Sequence, residues 1–120
     1  MIKFYGYVSK GYLYINNFDY TILPSLSEGL PLSVLESFRA GKPVIVSDID
    51  VFKEMIEDDK NGFIFNLNDK DSLDSKINDA VKIKDTEQYI LMSRKCCKEF
   101  QGKYRLDSCY NKYLKLYKRI

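Results

Sequence analysis

Two carboxylates eight residues apart, Glu28 and Glu36, flank the run Gly29-Leu30-Pro31. The order of residue types around them describes a strand that ends, a loop that turns and a helix that begins. Tyr20-Thr21-Ile22-Leu23 is apolar and β-rich and is stopped by Pro24, which cannot donate to a central ladder. Ser25 to Gly29 is loop, and Pro31 opens a helix at the position where a missing N–H costs nothing. Free backbone N–H groups at such a helix start attract anions, and Gly29 lets a ligand approach the backbone closely. Glu28 at the mouth of that site repels phosphate and is suited to accept hydrogen bonds from neutral hydroxyls. Glu36, set among Leu32, Leu35 and Phe38, needs a donor if it is even half-buried, and a pair of ribose hydroxyls would supply one. Two hydroxyl-binding carboxylates around an anion site describe a sugar nucleotide. A plainer reading stays open, because strand–loop–helix units with a glycine occur throughout α/β proteins and Glu36 can equally be an exposed helix residue. Ser25 and Ser27 are polar contacts on the same terms, or simply loop and capping residues.

The elements that must position these groups follow from hydrophobic spacing. Ile2 to Val8 reads as a strand, and a short helix follows over Tyr12 to Asn17. In the helix after Pro31, Leu32, Leu35 and Phe38 recur every three residues with Val34 beside them, and Gly41 ends it at positive φ. Pro43-Val44-Ile45-Val46 has the composition of a strand buried on both faces, ending at Ser47-Asp48. Val51 to Glu57 reads as a short helix, Asp59 to Gly62 as a turn and Phe63-Ile64-Phe65 as a last strand. Asp69, Asp71 and Ser72 start a helix carrying Leu73, Ile77, Ala80 and Val81, followed by helices about Thr86 to Phe100 and Arg105 to Ile120. Strands alternating with helices imply βαβ units and a parallel sheet with a helical C-terminus. Ligands then sit outside the carboxyl ends of the strands, at Ser25 to Pro31 and Ser47 to Asp50.

Composition narrows the chemistry. The 120 residues fit a single domain over 1–120, and a hydrophobic fraction of 45% argues against disorder. The apolar runs are too short for a spanning helix and the start lacks signal-peptide features, so the expectation is a soluble cytoplasmic chain. Histidine is absent, which removes a histidine base from any mechanism within the chain. Cys96, Cys97 and Cys109 have no framework or C-x-x-C spacing, so they read as reduced and structural, and no metal site is expected. From Arg94 onward nine basic residues face Glu99 and Asp107, a balance of +7 within a net charge of +2. Interleaving with apolar residues makes this the solvated side of helices, with a membrane surface as a minor partner. No groove-reading or base-stacking module accompanies it, so no nucleic acid is expected.

The segment from Pro24 to Asp48, PSLSEGLPLSVLESFRAGKPVIVSD, closely resembles the signature of retaining glycosyltransferases of the GT-B type, family 4, the group 1 glycosyltransferases. Glu28 and Glu36 have that family's E-x7-E spacing. Phe4-Tyr5-Gly6, Asn17-Phe18-Asp19 and the stretch from Glu54 to Phe65, with Asn61-Gly62-Phe63, are similar to its flanking segments. The resemblance implies an α/β fold, namely the later part of a Rossmann-like donor-binding domain. It implies a UDP-, GDP- or ADP-sugar as donor substrate, transfer to an acceptor hydroxyl with retention, and no cofactor or bound metal. Glu28 would act as the catalytic-side carboxylate facing the donor sugar hydroxyls. Gly29 and Leu30 would offer N–H groups to the diphosphate, and Glu36 would hold the ribose.

The resemblance covers roughly a third of a full enzyme. The family's phosphate-clamping Arg and Lys, its acceptor domain and two strands of the donor domain have no counterpart here. The expectation is therefore a truncated donor half, inactive or nearly so alone, which needs the N-terminal acceptor domain or a partner chain. Self-association through unpaired strand edges is a further expectation. The alternative is a non-catalytic nucleotide-sugar-binding or regulatory subunit that works with a partner chain.

Overall fold

A computed structural model describes residues 11–29 and 31–103, together with Phe4, Gly6 and Ser9. It is an α/β fold. After a 3₁₀-helix over Gly11–Asn17, the order is β1 (Thr21–Leu23), α1 (Leu32–Arg39), β2 (Val44–Ser47), α2 (Asp50–Met55), β3 (Gly62–Phe65), α3 (Lys70–Ile83) and α4 (Glu87–Lys103). The expected strand over Ile2 to Val8, apart from Phe4 and Gly6, and the expected helix from Arg105 lie outside the described residues, as do Leu30 and Cys109. Among the described residues the sheet is parallel in the order β1-β2-β3, with Leu23 beside Val46 and Val44 beside Gly62.

The middle strand is covered on both faces, as its composition requires. Val44 and Val46 point into a cluster with Val34 and Phe38 of α1, Phe52 of α2, Ile56 and Cys96 of α4. Ile45 points the other way, to Phe63, Phe65, Ala80 of α3 and Met92 of α4. The long helix α4 thus closes both layers. Burial in the first cluster pushes the Cys96 thiol up to about 12, with the Glu99 charge adding to it, so the thiol stays protonated.

Helix α1 departs from its expected pattern at its start. Pro31 is the N-cap and not the first helical residue, and its carbonyl accepts from the N–H groups of Val34 and Leu35. Leu32 is 55% exposed, whereas Ser37 is buried. The buried stripe is Val34, Leu35 and Phe38, and Leu32 lies outside it. At the other end the helix closes as expected. Gly41 has φ +72, its N–H donates to the Phe38 carbonyl, and the Lys42 N–H donates to that of Ser37, a Schellman closure. A Cβ on Gly41 would come within 2.9 Å of Ser93 Oγ and 3.0 Å of Cys97 Sγ, so this turn seats directly on α4.

Two further differences concern the turn before β3 and the helix after it. Gly62 belongs to the strand, and the left-handed residue of the turn is Asp59, φ +66. Asn61 is buried although Asn-Gly reads as an exposed turn. Its Nδ2 donates to the Met55 carbonyl and to Glu99 Oε2, its Oδ1 accepts from the Glu57 N–H, and its own carbonyl accepts from Cys96. Asn61 therefore joins α2, the turn and α4. In α3, Val81 is exposed, and Asp69 caps the start by accepting from the Asp71 N–H.

Candidate functional site

The carboxyl ends of β1 and β2 lie side by side, since Leu23 pairs with Val46. The loop from Pro24 to Gly29 leaves one end and Ser47-Asp48 the other, which is the edge where parallel sheets bind ligands. Ser47, the last residue of β2, is 0% exposed and donates to the Ser25 carbonyl at 2.6 Å. The Ser25 hydroxyl donates in turn to Glu28 Oε1 at 2.7 Å. Glu28, Gly29 and Ser27 are exposed and Ser25 is half-buried. A Cβ on Gly29 would meet nothing within 4 Å, so there is open space beside this backbone.

Glu36 is half-buried on α1, five residues beyond the N-cap. Its carboxylate has no hydrogen-bond or ion-pair partner among the described residues, and its oxygens reach solvent. A half-buried carboxylate whose oxygens face solvent can accept hydrogen bonds from the hydroxyls of a ligand. The next residue, Ser37, is buried and donates to Thr21 Oγ1 at 2.8 Å, one bond between α1 and β1 beside the apolar packing of Val34, Leu35 and Phe38. Ser25 and Glu28 are thus brought into contact and Glu36 is placed on the helix that their loop leads into. Ser27 makes no contact that assigns it a role.

Asp48 at this edge, and two tyrosines away from it, carry structural tasks. Asp48 Oδ1 accepts from the Leu67 N–H at 3.2 Å, tying the end of β2 to the segment between β3 and α3. On the far side of the sheet, Tyr20 packs edge-on against Phe63 and Tyr89 and donates to the Ala80 carbonyl, while Tyr89 donates to that of Asp19. Burial raises both phenols, Tyr89 to about 12, so they remain neutral clamps. Among the described residues no three His, Cys, Asp or Glu side chains stand together as a metal site would need, and no helix is long and apolar enough to cross a membrane.

Sequence reasoning singled out the edge at Ser47 but not the bond that Ser47 makes. A serine closing an otherwise apolar, doubly buried strand was the available signal.

Comparison with known proteins identifies the family. The family model described as glycosyl transferases group 1 matches residues 1–94. The chain is 34% identical over 99 residues to an Escherichia coli UDP-Gal:alpha-D-GlcNAc-diphosphoundecaprenol alpha-1,3-galactosyltransferase, covering 82% of this chain and 25% of that protein. It is 29% identical over 106 residues to the N,N'-diacetylbacillosaminyl-diphospho-undecaprenol alpha-1,3-N-acetylgalactosaminyltransferase of Campylobacter jejuni, covering 88% and 27%. It is 28% identical over 119 residues to the Escherichia coli O-antigen biosynthesis glycosyltransferase WclY, covering 99% and 32%. The chain spans about a quarter to a third of the length of these relatives. With the family model matched over most of this chain, the chain belongs to the group 1 glycosyl transferases.

Proposed function

We propose that the chain is the nucleotide-sugar-binding half of a retaining glycosyltransferase. A full enzyme of this kind moves a sugar from a nucleoside diphosphate to an acceptor hydroxyl. The observation that carries this reading is the pair of carboxylates on one loop–helix unit at the sheet edge, Glu28 bonded by Ser25 and Glu36 without a hydrogen-bond partner among the described residues. Glu28 accepts from hydroxyls of the donor sugar and Glu36 from the ribose. The backbone N–H groups of Gly29 and Leu30 and of the first turn of α1 hold the diphosphate and stabilise the leaving charge by fixed dipoles. No cofactor or metal ion is needed in this scheme. Two relatives bear names with acceptors linked to diphosphoundecaprenol, which supports a lipid-linked saccharide as the acceptor class. Acceptor binding and turnover fall to the acceptor domain or a partner chain.

Glu36→Ala tests the ribose contact. Removing a charge-assisted hydrogen bond weakens nucleotide binding by about ten- to a hundredfold, roughly 1.5–3 kcal/mol, as read by calorimetry or NMR titration. Unchanged affinity in a folded Glu36→Ala chain removes Glu36 from the site.

The β1 edge yields a second expectation. Among the described residues β1 pairs on one side only, and Ile22 on it is 44% exposed. An exposed apolar edge invites a further strand. The chain by itself is expected to self-associate, so its sedimentation-equilibrium mass rises with concentration. A constant monomer mass up to high concentration contradicts this.

A further inference from the structure

Ser47 stands where the sheet has no need of a hydroxyl. Val44, Ile45 and Val46 before it are buried and apolar, and Ser47 itself is fully buried. Alanine would pack there without requiring a partner, whereas a buried hydroxyl has to find one. It finds the Ser25 carbonyl, across 22 residues of sequence, at 2.6 Å. That bond ties the loop to the rigid middle strand. One residue's side chain further out, the Ser25 hydroxyl holds Glu28 Oε1 at 2.7 Å. Glu28 Oε2 keeps no partner among the described residues. An exposed glutamate on a loop otherwise samples many rotamers, and the bond selects one of them.

We propose that Ser47 and Ser25 are positioning residues for Glu28. Ser47 anchors the loop to β2, and Ser25 sets the carboxylate so that one oxygen faces the hydroxyls of the donor sugar. Ser25 thereby acts through Glu28 and not as a ligand contact of its own. The inference rests on the reading that this loop meets the sugar of a nucleoside diphosphate sugar.

The test uses the full chain and compares UDP-galactose, GDP-mannose and ADP-glucose, each with its own diphosphate, by NMR titration. The variants are Ser47→Ala, Ser25→Ala and Ser25→Thr, with Ser37→Ala as a control that removes an equally buried hydroxyl from the Thr21 bond. For the nucleotide that binds, Ser47→Ala and Ser25→Ala are expected to lower the preference for sugar nucleotide over diphosphate about fivefold, the worth of one hydrogen bond. The heteronuclear NOE of Ser27 to Gly29 falls in Ser47→Ala. Ser25→Thr keeps the hydroxyl and the preference, and Ser37→Ala leaves both readouts unmoved. Wild-type binding with an unchanged preference in Ser47→Ala and Ser25→Ala overturns the positioning role alone. A wild-type chain that binds none of the six probes removes the donor-site reading and this inference with it. If Ser47→Ala does not fold, Ser25→Ala on the half-buried loop decides the matter.

Discussion

Phe38→Ala is expected to destabilise the chain by about 3–5 kcal/mol, through lost burial and the cavity left behind. Phe38 is 0% exposed and stands at the centre of the cluster that joins α1 to Val44 and Val46 of β2, Phe52 of α2 and Cys96 of α4. No neighbour can fill its place without moving one of those elements, because each is fixed by its own contacts. Globular domains have about 5–15 kcal/mol in all, so this single change consumes a large share. The urea midpoint falls steeply while the slope stays the same. The functional consequence follows from the sequence, since Glu36 lies two residues before Phe38 on the same short helix. Nucleotide binding is lost together with the packing of α1. A loss under about 1 kcal/mol would mean that α1 is not seated on β2 as described.

Gly62→Ala acts without any cavity. The Gly62 backbone lies outside the left-handed region, so its φ does not demand glycine. Space does, because a Cβ would lie 2.6 Å from the Val44 carbonyl oxygen and 3.2 Å from side-chain atoms of Ile56 and Val44. The nearest of these is backbone of the paired strand, which can yield only by opening the β2–β3 ladder at Val44 and Gly62. The expected cost is about 3 kcal/mol, the upper part of the range for overpacking. The midpoint of thermal unfolding by circular dichroism falls by roughly 10–20 °C. A fall of less than about 3 °C would contradict the close approach.

The sequence made the framework legible where the signal was local. Pro43 to Ser47 is a contiguous apolar strand between punctuating residues, and its burial on both faces follows from composition alone. The closure of α1 at Gly41 and the capping of α3 by Asp69 rest on residue types acting within one turn. Reading faltered where a tertiary partner decides. Leu32 has the right spacing but stays exposed at the start of the helix, and Ser37 is polar yet buried because Thr21 waits for its hydroxyl. Asn61 looks like an exposed turn residue until Glu99, on α4, is placed against it. The two carboxylates were visible from their spacing. The bonds that orient Glu28 were not, because Ser47 and Ser25 are neighbours only in the folded sheet.

The central claim is that this fold carries a half-site for a nucleoside diphosphate sugar at the β1–α1 loop. A two-dimensional amide NMR spectrum of the labelled chain, titrated with UDP, GDP and ADP, tests it most directly. The account predicts dispersed peaks and, for one nucleotide, shifts confined to Ser25 through Glu36. A dispersed spectrum that none of the three nucleotides moves would contradict it.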